Sequence, residues 1–221
     1  MTNWDIVWDS RDLLWQGFLN TLSLFSVAIA LAFLLGCLIV YRLEDPKTRW
    51  RLPLRSFIDI MRMLPFLVLV YLLYYGLPSA GIRLEAWWAG LIGLTFYHGA
   101  YFAEILRGCR VTLSNGQIEA AYAHGFTPSR MFIRLILPQL MIQARPLIGN
   151  QLVYALKDTA FLFIITVKDL TWAANSISAT YFVPTEAFVA VIGFYWLISL
   201  VMEMAIRYAG RFGHKRGFDH V

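Results

Sequence analysis

The sequence predicts an all-α, polytopic membrane protein of about five spanning helices, with its N-terminus outside and one short helix in the cytosol. Three observations carry this prediction. Hydrophobic residues fill 59% of the 221 positions and charged residues only 15%, where a water-soluble domain carries about a quarter charged. The apolar residues fall into runs long enough to cross a bilayer, and the basic residues gather in alternate loops. The length fits a single domain covering residues 1–221.

A hydrocarbon core of about 30 Å needs about 20 residues of helix. Five segments meet that length: 17–41, 57–75, 86–106, 143–167 and 186–208. Apolar runs of this length must satisfy their backbone polar groups internally, which a helix does and a lone strand does not. The alternation of about ten residues expected of a transmembrane barrel is missing. The N-terminal stretch MTNWDIVWDSRD is acidic and has no basic n-region. The expectation is therefore a first span that is retained rather than a cleaved signal.

Orientation follows from Lys and Arg. Arg42, Lys47, Arg49, Arg51 and Arg55 follow the first span. Arg107, Arg110, Arg130, Arg134 and Arg145 lie between the third and the fourth. Arg207, Arg211, Lys215 and Arg216 close the chain. Fourteen of the 19 basic residues thus fall on one side, against Arg11, Arg83 and Lys168 on the other. The N-terminus is predicted outside and the C-terminus in the cytosol. Topology then accounts for the net charge of +5, and no nucleic-acid partner is expected. Trp87, Trp88, Trp172 and Tyr181 fall near the outer boundary, where amphipathic rings sit at headgroup depth.

The segment 107–138 is too long for a simple connection. Ser114-Asn115-Gly116 is a turn signal. Residues 117–124 are helix-prone, and Gly125 suits a C-terminal cap. Pro128 stops simple continuation. From Ser129 a second amphipathic stretch follows, with Met131, Phe132, Leu135 and Ile136 at helical spacing. Pro138 is expected to break it before the fourth span. Ala120, Ala121 and Ala123 give the first helix a thin side, suited to entering a groove on a partner.

These residues resemble a known motif. Glu119-Ala120-Ala121, then Gly125, then Leu135-Ile136-Leu137-Pro138 is similar to the EAA loop of permease subunits of ATP-binding-cassette importers, with Leu135 where that family usually has Ile. The flanks resemble its polar-amino-acid subfamily: GFLNTLSLFSVAIALAFLLG at 17–36, AYFAEILRG at 100–108, GQIEAA at 116–121 and ALKDTAFLFII at 155–165. Ala160 stands where the subfamily typically has Ser. In IMRMLPFLVLVYLLYYGLP at 60–78, Arg62 and Pro65 match while Met61, Met63 and Leu64 depart.

The resemblance implies an importer fold in the bacterial inner membrane, moving polar amino acids or, alternatively, an opine or other amino-acid derivative by alternating access. It assigns Gly116, Glu119, Ala120, Ala121, Gly125 and Pro138 to the loop that couples to the ATPase. It implies a cytoplasmic ATPase dimer, a second permease chain (identical or homologous), a periplasmic substrate-binding protein and surrounding lipid as partners.

Charged groups inside a bilayer face protein, water or substrate. Lys157 and Asp158 lie within the fourth span. Adjacent helical residues point about 100° apart, so both can border one cavity without pairing. A site with both signs suits the carboxylate and ammonium of an amino acid; the alternative is that each pairs with a neighbouring helix. Arg62 and Glu104 are further pathway candidates. Glu104–Arg107 is an i,i+3 pair and Glu203–Arg207 an i,i+4 pair. Asp59 and Arg62 share the i,i+3 spacing, with Arg62 expected to snorkel to the cytosolic interface. His98, in mid-span, reads as a hydrogen-bonded packing residue. His124, His214 and His220 read as solvent-exposed.

Cys37 and Cys109 have no metal-like spacing. No G-x-x-x-x-G-K-[ST] loop, GxSxG, HExxH or Cys/His cluster occurs. No cofactor, metal or catalytic residue is expected in this chain. ATP belongs to the partner.

Overall fold

In the computed structural model, residues 2–45 and 47–214 are described, with side chains as far as Tyr208. Lys215, Arg216 and His220 lie outside the described residues, as do the side chains of Arg211 and His214. The described residues are helical and connecting segments, without a strand.

Helix α1 (Asn3–Asp9) opens on a capping box. Thr2 Oγ1 accepts from the Asp5 amide at 3.3 Å, and Asp5 Oδ2 accepts from the Thr2 amide at 2.6 Å. Helix α2 (Arg11–Glu44) is the longest, about 50 Å at 1.5 Å per residue. It packs along α5 (Ala86–Thr112) through small residues. Ala28, Ala32 and Gly36 recur every fourth position on the buried face. A Cβ on Gly36 would lie 2.8 Å from Phe102 Cβ, so the glycine is what allows that approach. Membrane helices associate through such small-residue stripes because lipid offers no hydrophobic drive between them.

Helix α3 (Arg51–Met63) is amphipathic, with Ile58 buried and Arg51 and Arg55 on its polar side. Pro65 then ends it. Leu64 before the proline is extended at ψ 138°, as steric clash with the ring demands. The chain turns 105° into α4 (Phe66–Ala80). The expected span 57–75 is therefore not one helix. It straddles this bend, and a new helix begins at Phe66.

After α5 come α6 (Asn115–Ala123) and α7 (Pro128–Gln143). The chain bends by 69° into α8 (Arg145–Ile165), close to the expected fourth span. Pro138 does not break α7, contrary to expectation. A wide turn at Phe132–Ile136 has Leu137 N–H donating to Phe132 O, five residues back. That local widening accommodates the proline. The bend falls instead at Ala144–Arg145, just before Pro146.

Helix α9 (Leu170–Tyr181) lies in what the sequence presents as a plain outer connection. It packs Leu170, Ala173, Ala174 and Ile177 with Val7 and Leu14, with Val183 of the short connection, and with Ala187 and Val191 of α10 (Pro184–His214). Asp169 caps it: the carboxylate Oδ1 accepts from the Trp172 amide at 2.7 Å.

Among the described residues, α2 and α10 are each long and apolar enough to cross a membrane, and α3–α4 and α7–α8 qualify as bent pairs. Helix α5 is long enough but less apolar. It is central, with Gly90, Gly93, His98, Gly99 and Ala103 buried against its neighbours, so it needs little lipid-facing surface. The helix ends gather polar side chains, and the end reached by the Arg-rich segments 42–55 and 107–134 is the basic one. Glu44, Arg110, Thr112, Ser129 and Gln143 meet at one end: Arg110 Nη2 donates to Glu44 Oε2 at 2.9 Å, and Tyr41 Oη lies 2.8 Å from Ser129 Oγ. Asn3, Asn20, Trp87, Lys168 and Glu186 meet at the other.

Candidate functional site

Two groups of residues are candidates for chemistry beyond packing. The first is α6, at the basic end. Ser114 Oγ accepts from the Gly116 amide at 3.3 Å and starts the helix. It ends in a Schellman arrangement, with Gly125 N–H to Tyr122 O at 2.9 Å and Phe126 N–H to Ala121 O at 3.0 Å. Gly125 sits at φ +74°, a left-handed conformation that a side chain strains. The chain can thus leave the helix within one residue and return to α7.

Ala121 is turned inward, 7% exposed, in the cluster with Leu113, Met131 and Phe132. Ile118 packs beside it. The thin outer side of α6 is accordingly Ala120 and Ala123 with Glu119, all exposed, beside Tyr122 at 54% exposure. Gly116 and Gly125 bound this face. Pro138 is not on it and lies well along α7.

The second group is the set of charges within the spans. Arg62 does not take Asp59 as its partner. Its guanidinium lies 3.6 Å from Glu104 and 5.7 Å from the Tyr101 ring centroid. Glu104 also receives a two-pronged contact from Arg107, both bonds at 2.7 Å, the geometry in which an arginine–carboxylate pair is strongest. Glu203 and Arg207 pair as the spacing predicts.

Lys157 and Asp158 diverge. Lys157 is exposed, its ammonium 6.0 Å from the Tyr154 ring centroid. Asp158 is turned to α5, with Oδ2 3.4 Å from Nε2 of the buried His98. His98 Nδ1 in turn lies 2.8 Å from Gln151 Nε2. His98 is hydrogen-bonded, as the sequence suggests. That bond, from Gln151, and the longer Asp158 contact both come from α8, two helical turns apart. Gln151 is the residue that sequence reasoning missed. Its signal was an amide in an apolar run, seven residues before Asp158 and so on the same helical face.

Other positions on α8, most of them polar, form an exposed stripe. Asn150, Tyr154, Lys157 and Phe161 follow one another at three- and four-residue spacing. An amide and an ammonium on one exposed face of a spanning helix are costly against hydrocarbon. Cys37 and Cys109 are free thiols, and no group of three or more His, Cys, Asp or Glu side chains is placed to hold a metal among the described residues.

Similarity to known proteins matches this geometry. Residues 43–211 match the family described as "Binding-protein-dependent transport system inner membrane component". The chain is 31% identical over 211 residues to the probable glutamine ABC transporter permease protein GlnM of Bacillus subtilis, covering 93% of this chain and 95% of that one. It is 37% identical over 194 residues to the octopine transport system permease protein OccM of Rhizobium meliloti, covering 81% and 76%. A crystal structure of an amino acid ABC transporter with histidines superposes with a TM-score of 0.82 at 29% identity, covering 93% of this chain and 96% of that one. This chain, with its bent helix pairs and its short capped helix at the basic end, belongs to the family of binding-protein-dependent transport system inner membrane components, the ABC transporter permeases.

Proposed function

We propose that this chain moves polar amino acids across a bacterial inner membrane, with its N-terminus outside, as one half of the pathway of an ATP-driven importer. A periplasmic binding protein delivers the substrate to the outer face. A second permease chain, identical or homologous, completes the pathway, and a cytoplasmic ATPase dimer receives α6 in a cleft. The observation that carries this reading is the free face of α6. Glu119, Ala120 and Ala123 stand clear between two caps, while Ala121 and Ile118 hold the helix down. A helix fixed on one side and narrow on the other transmits a push rather than bending under it.

The stripe on α8 supports a second bundle. Asn150, Tyr154, Lys157 and Phe161 are exposed in the single chain, and a partner bundle or an aqueous pathway satisfies them better than lipid does. Lys157 then offers a cation to the substrate carboxylate, and Asp158 an anion to its ammonium. Arg62 and Glu104, tied together with Arg107, stand farther along the same route toward the cytosol.

Relatives named for glutamine and amino acids support the amino-acid substrate. The 37% identity to an octopine permease favours a second reading, an opine or related amino-acid derivative. Uptake of labelled glutamine, histidine and octopine by the assembled complex in proteoliposomes decides between them. ATP-dependent accumulation of a free amino acid that octopine does not displace supports the first reading. Accumulation of octopine alone selects the second, and ATP-independent flux contradicts both.

A further inference from the structure

We propose that His98 is a positioning residue for Asp158, whose carboxylate it holds in one orientation toward the substrate's ammonium group, thereby setting transport affinity. This rests on the reading that Asp158 borders the pathway.

The geometry begins with α8. Gln151 and Asp158 are seven residues apart and share a face. Between them, from α5, comes the His98 ring, 0% exposed. Gln151 Nε2 lies 2.8 Å from His98 Nδ1. An amide nitrogen only donates, so Nδ1 is the acceptor. A neutral ring then carries its proton on Nε2. The same answer comes from the other side, because a carboxylate oxygen 3.4 Å from Nε2 repels a lone pair there and attracts an N–H. One tautomer makes both contacts favourable, and the flipped amide makes one of them repulsive.

Nε2 has no hydrogen-bond partner among the described residues, and 3.4 Å is longer than a well-formed bond. The donor is therefore aimed at Asp158 across a gap that a small rotation of the carboxylate closes. The ring is itself held, with its centroid 5.3 Å from that of Tyr97 and 6.1 Å from that of Phe66. Asp158 is 21% exposed at its side chain, so it faces the His98 donor on the protein side and is open on another. A carboxylate fixed from behind meets an incoming ammonium without first losing its own rotational freedom, which is how preorganisation raises affinity.

A purely structural His98 would need only its bond to Gln151. Two substitutions separate the roles in the full permease–ATPase complex in proteoliposomes, with KM, Vmax and assembled complex measured together. His98→Asn places its amide near the Nδ1 position, where it accepts from Gln151 but stops short of Asp158. His98→Gln extends an amide to the Nε2 position, where it donates to Asp158. We expect His98→Gln to hold KM within about twofold and His98→Asn to raise it about tenfold or more, at unchanged assembly, because a bond to a charged group is involved. In an Asp158→Asn background the two variants become equal, since nothing remains to be positioned.

Equal KM for both variants, with Asp158→Asn alone raising KM, overturns the positioning role and leaves the pathway reading standing. Asp158→Asn with unchanged KM overturns the pathway reading and this proposal with it. Should His98→Asn fail to assemble, Gln151→Leu gives a second reading. It frees Nδ1 to compete for the ring proton and must raise KM in the same direction by a smaller factor; an unchanged KM in that assembled variant also overturns the proposal.

Discussion

Helix α6 and the His98 cluster are the two regions proposed to carry function in a predominantly apolar chain, and they are built in opposite ways. Helix α6 is a local object. Its start at Ser114, its end at Gly125 and the spacing of its alanines all lie within a dozen residues. Most of it is exposed, and it is held by two side chains, Ala121 and Ile118. The His98 cluster is non-local. It joins α5 to α8 across 53 positions of sequence, and its central ring is fully buried. A local device can be switched off by one residue while the protein still folds. Substitutions in a buried polar cluster disturb packing as well as any proposed binding role, so affinity and assembly must be measured apart.

The largest expected effect is therefore at α6. Gly125→Asp forces a side chain into a left-handed position, and Glu119→Lys reverses the charge on the free face. Either is expected to abolish ATP-dependent uptake while leaving membrane insertion intact, as read by uptake and by pull-down of the ATPase. Normal assembly with normal uptake for both would remove α6 from the coupling role and collapse the contrast.

Asp158→Asn comes next. Loss of one charge-assisted hydrogen bond, worth about 1.5–3 kcal/mol, is expected to weaken apparent affinity by roughly ten- to a hundredfold. Uptake must be normalised to assembled complex. Unchanged affinity with lower yield would make the cluster a packing feature only, and the contrast would become one of function against scaffold.

Gly36→Val tests the frame that holds both regions. The added Cβ would meet Phe102 Cβ at 2.8 Å and the Ala103 backbone nitrogen at 3.0 Å. Over-packing of this kind costs about 1–3 kcal/mol, occasionally more. A lower Tm of the detergent-solubilised chain is expected, with substrate affinity of the surviving complexes unchanged.

The smallest effect concerns Asp169, outside the spans. Burial pushes its carboxyl up to about 7, against the lowering by its bond from the Trp172 amide. A raised value means that the folded chain holds the proton more tightly than the unfolded one does. The stabilisation is full below the ordinary carboxylate value of 3.8 and is lost as pH rises through about 7. Asp169→Asn keeps a capping oxygen and removes the titration. Its Tm is expected to be flatter between pH 5 and about 8 than that of the unmodified chain, a range that brackets the raised value. Identical pH profiles would contradict that.

How much was legible in the sequence follows the same divide. The caps of α6, the i,i+3 contact of Glu104 with Arg107 and the charge asymmetry of the loops are short-range patterns, and each could be read directly. The 105° turn at Pro65 was not, because the apolar run continues through it and hydropathy is blind to direction. Pro138 misled in the opposite sense. A widened turn beginning six residues earlier absorbed a helix breaker, and no composition signal announces that. Ala121 was grouped with Ala120 and Ala123 on one thin side. Its inward orientation depends on where Met131 and Phe132 return. Gln151 and the partner of Arg62 depended on which helices become neighbours, which one sequence does not state.

In the proposed coupling role, the free face of α6 is where an ATPase drives this permease. Single cysteines at Ala120 and Ala121, in a chain with Cys37 and Cys109 replaced by Ala, test it most directly by cross-linking to the ATPase subunit in membranes. The expected result is a cross-link from Ala120→Cys that changes in yield with ATP, and none from the inward-facing Ala121→Cys. Equal cross-linking from both positions, or from neither in an actively transporting complex, would contradict it.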